Sequence, residues 1–444
     1  MNSSLSREYG LKELLTFAAP NMFMMLFLAL YTIVDGTFVS WFVGTDALSS
    51  INMVYPVISC EMAIAIMLAT GGNAIIARRM GEKKNNLAIK DFSFIILIET
   101  LIGLAVAFFG LIFINDIIRG LGATNVQFEL SKNYLTILLT GAPFFMLQTA
   151  FQTFFVTAGR PETGLLNTVI SGLLNMVLDY VFIAIFGMGI EGAAYATVIG
   201  YLFSAIAGVV FFMNKKHELH LTVPVYERGL LVMACRNGSS EMVSNMANAI
   251  TTFLFNYTFL KYYGEDGVAA ITIILYIQYI FTAIYFGYSN GIAPIVAYKY
   301  GEKNRFQIRN IYKHSLTIVN MTAVVSVLLI WIFSQRILSL FVAGESRVFE
   351  IALDGLKKYA IAFLIMGNSI FASAWFTALS NGKVSAIISF LRTLVFIVAA
   401  ILLLPAMFGA IGAWYAIPFA EAGGLIVSLV YLQKNKPVYG YGKA

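Results

Sequence analysis

Twelve apolar stretches, each long enough to cross a bilayer, recur along this chain in two sets of six. They fall near 16–42, 50–76, 92–114, 133–157, 163–185, 190–213, 231–258, 268–297, 315–334, 350–378, 384–404 and 410–432. Crossing the hydrocarbon core takes about 20 apolar residues in a helix. Inside that core the segment must satisfy its own backbone N–H and C=O groups, which leaves helices or a closed barrel. No stretch alternates apolar and polar residues over ten-residue segments, so the barrel pattern is absent. The fold class follows: an all-α integral membrane protein of twelve transmembrane helices. Composition agrees, with 59% hydrophobic and 12% charged residues, where a soluble domain carries roughly a quarter charged.

The two sets are copies. At an offset of 220 residues, Gly44, Gly71, Gly81, Glu82 and Lys83 map onto Gly264, Gly291, Gly301, Glu302 and Lys303. The same offset carries GIEGAAYA (189–196) onto GAIGAWYA (409–416). Each copy has an even number of spans, so both run the same way through the membrane. The expected arrangement is two parallel six-helix repeats about an axis along the membrane normal. The domains are then an N-lobe, 1–213, a polar cytoplasmic linker, 214–229, and a C-lobe, 230–444.

Charge orients the chain. With the N-terminus inside, 20 of the 29 lysines and arginines fall on inside segments and seven on outside loops. Arg236 and Arg392 are expected at inner span ends. The bias predicts both termini in the cytoplasm, and the net charge of +6 reflects it. No basic run is interleaved with base-stacking aromatics, so no nucleic acid is expected as a partner. The N-terminal segment reads as a surface-lying lead-in to the first span, not as a cleaved signal. Cys60 and Cys235 fall in or beside apolar stretches and suggest neither a disulfide framework nor a metal site.

Within the spans two aspartates stand out. Asp35 lies in the first and Asp179 in the fifth, and the second copy has no acid at the equivalent positions. A carboxylate at the bilayer centre costs roughly 2.5–3.5 kcal/mol on insertion scales, and it usually faces a cavity, an ion path or a substrate. One copy with these acids beside one without them points to a transporter with a single ion-coupling lobe. In the fifth span Asn167, Ser171, Asn175 and Asp179 recur every four residues, one face of a helix. Gln148 and Gln152 share a face of the fourth span, and Thr197 lies in the sixth. The plainer alternative is hydrogen bonding between helices, worth about 0.6 kcal/mol a bond. That suits Ser171, Gln148 and Gln152 better than the two aspartates. Burial disfavours a charged carboxylate, so such a group can hold a proton until water or a cation approaches. The same oxygens also suit Na+, and the sequence allows either ion.

A cleft between the lobes is the expected substrate cavity, near the bilayer midplane. Glu241, Asn245, Asn248, Thr252 and Asn256 form a helical face of the seventh span that can line it. Glu61 in the second span and Tyr276 and Tyr279 in the eighth are further candidates. Glu99 and Glu421 suit pairing with a neighbouring helix. Pro20, fifteen residues before Asp35, removes a helical hydrogen bond and permits a kink, so it is the candidate hinge.

Several of these features together resemble the multidrug and toxic compound extrusion (MATE) family. They are the parallel six-helix repeats, the acid of the first span, Asn175 and Asp179 four apart, GxxGAAxAT at 189–197 and AGRPE at 158–162. The chain is most similar to the DinF-like bacterial branch with its MepA-type drug exporters. The resemblance implies a MATE/MOP-like fold and a secondary antiporter of the bacterial plasma membrane, working by alternating access. Such a protein exports cationic, amphipathic compounds in exchange for H+ or Na+. It also implies Asp35, Asn175, Asp179 and Thr197 as the cation or proton cluster, with Na+ at Asp35, Asn175 and Asp179 if Na+ is the ion. Gln152 stands where the branch often has another amide. Glu241 resembles the seventh-helix acid of the NorM-like branch, whereas the tenth span has Asn368 and no acid. Ion coupling is therefore expected in the N-lobe, and Asn368 is counted with the cavity. No cofactor beyond the coupling ion is expected, and the chain is expected to act as a monomer in the lipid bilayer.

Two rivals are weaker. A lipid-linked oligosaccharide flippase, or a dedicated metabolite exporter, shares the broader fold, but a flippase needs a cationic central cavity and the spans offer few lysines or arginines. An enzyme would need a nucleophile with a base, or a metal cluster. His217, His220 and His314 all lie in or beside loops, so the chain is expected not to be an enzyme.

Overall fold

The computed structural model describes residues 4–123, 125–344 and 346–442, and among these it contains helices and no strand. The extreme ends, on which the expected placement of the termini bears, lie outside the described residues. Numbering only the spanning helices, α1 is Leu11–Phe42, α2 Thr45–Gly81, α3 Asn85–Ile112, α4 Asn125–Thr157, α5 Pro161–Asp179 and α6 Gly189–Met213. A single run, Leu230–Gly301, follows with 72 residues. At 1.5 Å per residue it would be about 108 Å long, more than three times the roughly 30 Å hydrocarbon core. Gly264 resolves the excess: its φ of 69° and ψ of −157° are not helical, and the run divides there into α7, 230–263, and α8, 265–301. The chain then continues as α9 Arg305–Ser339, α10 Ile361–Ala378, α11 Gly382–Phe408 and α12 Ala410–Tyr439. Eleven apolar runs, one of them split, thus make the twelve spans.

The duplication is written in backbone torsions as well as residues. Gly44 and Gly264 have φ of 106° and 69°, Gly189 and Gly409 have 59° and 62°, and Lys83 and Lys303 have 62° and 57°. Every pair is separated by the 220-residue offset. The left-handed region is favourable for glycine but uncommon for lysine, so a shared positive φ at Lys83 and Lys303 marks the same tight turn built twice.

The two copies meet at the C-terminal ends of α2 and α8, where glycines allow backbone to touch backbone. A β-carbon on Gly81 would collide with the Tyr298 carbonyl, and one on Gly301 with the Arg78 carbonyl. The offset exchanges these two contacts, so the repeat axis passes between them. Gly71 and Gly238 abut in the same reciprocal way where α2 crosses α7. The matching crossing of α8 and α1 sets Gly291 against Ala18 and Asn21. There Asn21 Nδ2 donates to the Gly287 carbonyl at 2.6 Å. The Arg78 guanidinium also lies over the Tyr300 ring, 5.3 Å from its centre. Small residues at helix crossings are the usual means of close approach in lipid, where no hydrophobic force drives helices together.

Two expectations are corrected. The single span expected over 350–378 is two helices, Arg347–Tyr359 and α10, separated at Ala360. The first buries Ala352, Gly355, Leu356 and Tyr359 and turns Asp354, Lys357 and Lys358 elsewhere. Such a helix suits the edge of the apolar layer, not its centre. Arg392, expected at an inner span end, lies in the middle third of the span Gly382–Phe408. It is buried, with Nη1 3.1 Å from Glu421 Oε1 of α12. An arginine is tolerated at that depth because the carboxylate neutralises it.

Candidate functional site

The polar face expected on α5 packs against α6. Asn167 Nδ2 donates to Ser204 Oγ at 2.8 Å, Ser171 Oγ to the Gly200 carbonyl at 2.7 Å, and Asn175 Nδ2 to Thr197 Oγ1 at 3.3 Å. The first rungs are therefore inter-helix bonds, as the plainer alternative holds for Ser171. Asp179 ends the ladder, and the helix changes there to a π-helical turn, Tyr180–Ile185. Such wide turns frequently occur at functional sites. Asp179 meets Asp35 from α1, the two carboxyls close enough to share a hydrogen bond. Like charges so close need a proton or a cation between them. One oxygen of each acid is buried without a hydrogen-bond partner.

Three tyrosines that the sequence reading did not single out surround the pair. Tyr31 donates its hydroxyl to Asn175 Oδ1 at 2.7 Å. The phenols of Tyr134 and Tyr201 lie within electrostatic reach of Asp35. Tyr31 precedes Asp35 by four residues and so shares its helix face, a signal that was available; Tyr134 and Tyr201 carry no comparable mark. The donors gathered here are carboxylates, amide oxygen and hydroxyls. That set fits a bound proton or a hard cation. Among the described residues no group of three or more His, Cys, Asp or Glu is brought together.

The other sequence candidates separate. Gln152 bonds to Thr168 Oγ1 at 3.3 Å, apart from the acid pair. Glu61 lies within reach of Tyr201 and has one buried oxygen without a partner, so a line of Glu61, Tyr201 and Asp35 crosses the first copy. Tyr279 stands opposite Thr32 of α1 and Tyr55 of α2, bringing a C-terminal phenol to the boundary between copies. Tyr276 and Tyr279 are 44% and 47% exposed. On α7, Asn248 is exposed and the Asn245 amide bonds to the Glu241 carbonyl at 2.8 Å. Glu241 itself is buried within reach of Arg392, inside the second copy. Asn368 donates to Asn320 Oδ1 of α9 at 2.9 Å. Pro20 lies inside α1, immediately before Asn21 and its bond to Gly287.

The second copy thus has its own buried charges: Arg392 paired with Glu421, and Glu241 nearby. Removing one partner of a buried pair costs about 3–5 kcal/mol, because it strands a charge, whereas replacing both with apolar residues is often neutral. Arg392→Leu should therefore lower the thermal unfolding temperature sharply in detergent, and Arg392→Leu with Glu421→Leu should recover much of it. Equal losses in the single and double variants would show that the pair is not what holds these helices.

A family model described as MatE matches residues 20–181 and 242–402, one match in each copy. The multidrug export protein MepA of Staphylococcus aureus is 23% identical over 429 residues, covering 96% of this chain and 94% of that protein. A solved outward-facing multidrug resistance MATE family transporter of the MOP superfamily superposes with a TM-score of 0.92 at 24% identity, covering 98% of both chains. A MOP superfamily transporter from Pyrococcus furiosus, for which a reversed polarity of the binding pocket and a different function are described, gives a TM-score of 0.90 at 24% identity over 97% of each chain.

Proposed function

The chain belongs to the MatE family of multidrug and toxic compound extrusion transporters, and from that premise we propose that it is a multidrug efflux antiporter, exporting cationic lipophilic compounds in exchange for H+ or Na+. The observation that carries the proposal is the meeting of Asp35 and Asp179, each with a buried oxygen that has no partner. Asn175, Thr197 and Tyr31 complete an oxygen-lined ion site. The similarity to a MepA export protein supports drug-like cargo.

Residues 1–213 and 230–444 act as two lobes joined by 214–229, with the cargo between them. Tyr276 and Tyr279 line the C-lobe wall, and Glu61 the N-lobe side. The glycine contacts at Gly81 and Gly301 bar the inner end, so in this reading the ion reaches the site from outside. A proton or Na+ arriving from outside neutralises the acid pair, which weakens its hold on a cationic cargo and releases it. The lobes then rock, and the ion leaves to the cytoplasm. One charge crossing 100 mV supplies about 2.3 kcal/mol, before any concentration gradient. Most lysines and arginines flank the closed end, which supports a plasma-membrane protein with both termini cytoplasmic. Arg392 does not favour the flippase alternative, since Glu421 neutralises it.

Inverted membrane vesicles containing the protein should accumulate ethidium when an outward-to-cytoplasmic gradient of one of the two ions is imposed, and the gradient that works identifies the ion. No dye movement with either gradient would contradict drug export and favour a dedicated exporter or a flippase.

Pro20 gives α1 a weak point beside an inter-lobe contact. Its missing N–H leaves the Thr16 carbonyl without the helical bond. Pro20→Ala restores that bond and should lower ethidium transport several-fold with unchanged thermal stability. Wild-type transport by Pro20→Ala would remove the hinge from the mechanism.

A further inference from the structure

A cavity of about 560 Å³ opens between the two copies beside the closed end. Its walls come from the end of α2 and the turn after it, the linker, the start of α7 and the loop between α10 and α11. They are predominantly cationic. Arg78 and Lys84 share Glu82, at 2.9 and 2.8 Å. Arg79 holds Glu227 at 2.7 Å and also binds Asp91. Arg236 and Lys383 are exposed and form no ion pair among the described residues. Gly382 brings these two together, since a β-carbon there would collide with the Arg236 carbonyl.

The duplication provides an internal comparison. The offset maps Arg79 onto Lys299, Glu82 onto Glu302, and the linker before α7 onto the segment before α1. In that second position the chain fills the space itself. Lys299 Nζ donates to the Ser6 carbonyl at 2.7 Å and pairs with Glu302 at 2.9 Å. The Tyr9 N–H donates to Gln307 Oε1 at 3.2 Å, and Leu5 is fully buried. Its counterpart in the linker, Val225, is 47% exposed, and Tyr226 is 71% exposed. One of two equivalent places is plugged by protein, and the other is an open, predominantly cationic chamber.

We propose that this cavity binds a phosphate-bearing anion, supplied as the headgroup of an acidic lipid from the adjacent leaflet, and that the bound anion ties the two copies together at their closed end. Arginine forks suit phosphate oxygens, and basic pockets between helices at the cytoplasmic face are a known setting for lipid headgroups. Val223, Val225 and Tyr226 of the linker and Val232 of α7 are exposed and neighbour the lining residues Glu227 and Met233 in sequence, so they would meet the acyl chains. The proposal goes beyond the transport function and does not depend on which compound is exported.

The test is native mass spectrometry of the purified full chain titrated with phosphatidylglycerol or with phosphatidylcholine of the same acyl chains. Wild type should prefer phosphatidylglycerol, and Arg236→Gln with Lys383→Gln should weaken that lipid by about tenfold or more, as expected for two lost cationic contacts. Both side chains are exposed, so the double variant should fold, which its unfolding temperature checks. Lys313→Gln with Lys434→Gln removes two charges elsewhere on the same face and should change the affinity less than about twofold. Wild-type affinity in the Arg236/Lys383 variant, or an equal loss in the Lys313/Lys434 control, would overturn the proposal. Titration with inorganic phosphate separates the sources: phosphate binding that depends on Arg236 and Lys383, without selective lipid binding, would overturn the lipid source and leave a soluble phosphate compound as the ligand.

Discussion

Asparagine at Asp35 or at Asp179 is expected to abolish gradient-driven ethidium export and to lower dye affinity toward that of the ion-bound protein, by about 5- to 150-fold. The substitution preserves size and hydrogen-bonding capacity but removes the ability to take up a proton or balance a cation. Coupling between two ligands on one protein is typically worth 1–3 kcal/mol, or about 5- to 150-fold in affinity. Without that term an ion gradient has nothing to act upon. The two acids touch, so they should behave as one unit, and the double variant should be no worse than either single one. Transport rates in vesicles and dye affinity by fluorescence anisotropy test both parts. Wild-type export by either variant would remove the acid pair from the coupling step and direct attention to Glu61 and Glu241.

Leucine at Gly81 or Gly301 should have an effect of similar size for a different reason. Each glycine lies against a carbonyl of the opposite copy, so any side chain forces α2 and α8 apart at the closed end. Overpacking of this kind costs about 1–3 kcal/mol. It falls only on the state in which the inner ends touch, so it shifts the balance toward the state open to the cytoplasm by about 5- to 150-fold. Transport should then fail because the inner gate does not close. Spin labels at Lys90 and Lys313, near the inner ends of α3 and α9, should report a longer mean separation in Gly81→Leu than in wild type. An unchanged separation with normal transport would mean that this crossing is not the gate.

Most of the architecture was legible because lipid narrows the options. Apolar length counts spans directly, and a copy at a fixed offset dictates their symmetry. The misreadings arose where local composition hides geometry. The run 350–378 is apolar enough on average to pass as one span, yet the charges of Asp354, Lys357 and Lys358 exclude its first half from the core. The sequence puts Arg392 near a span end, whereas the structure places it in the middle third of its span. Its partner Glu421 is 29 residues away in sequence, and nothing in the local pattern announces the pair. At the site, the four-residue spacing from Asn167 to Asp179 revealed a buried face. It did not reveal that the upper rungs are bonded to α6 while the last residue meets α1. The gate glycines were visible only as repeat markers, since reciprocal backbone contact is a property of the folded pair.

The central claim, that Asp35 and Asp179 exchange an ion for a cationic compound, is tested most directly by what dye binding displaces. Purified protein in weak buffer with a pH indicator would be titrated with ethidium, in parallel with titrations at varied Na+ and constant ionic strength. Wild type should either release protons as the dye saturates or bind dye more weakly as Na+ rises, and Asp35→Asn with Asp179→Asn should bind dye without the linkage. Dye binding indifferent to both ions in wild type, or equally linked to one of them in the double variant, would contradict the account.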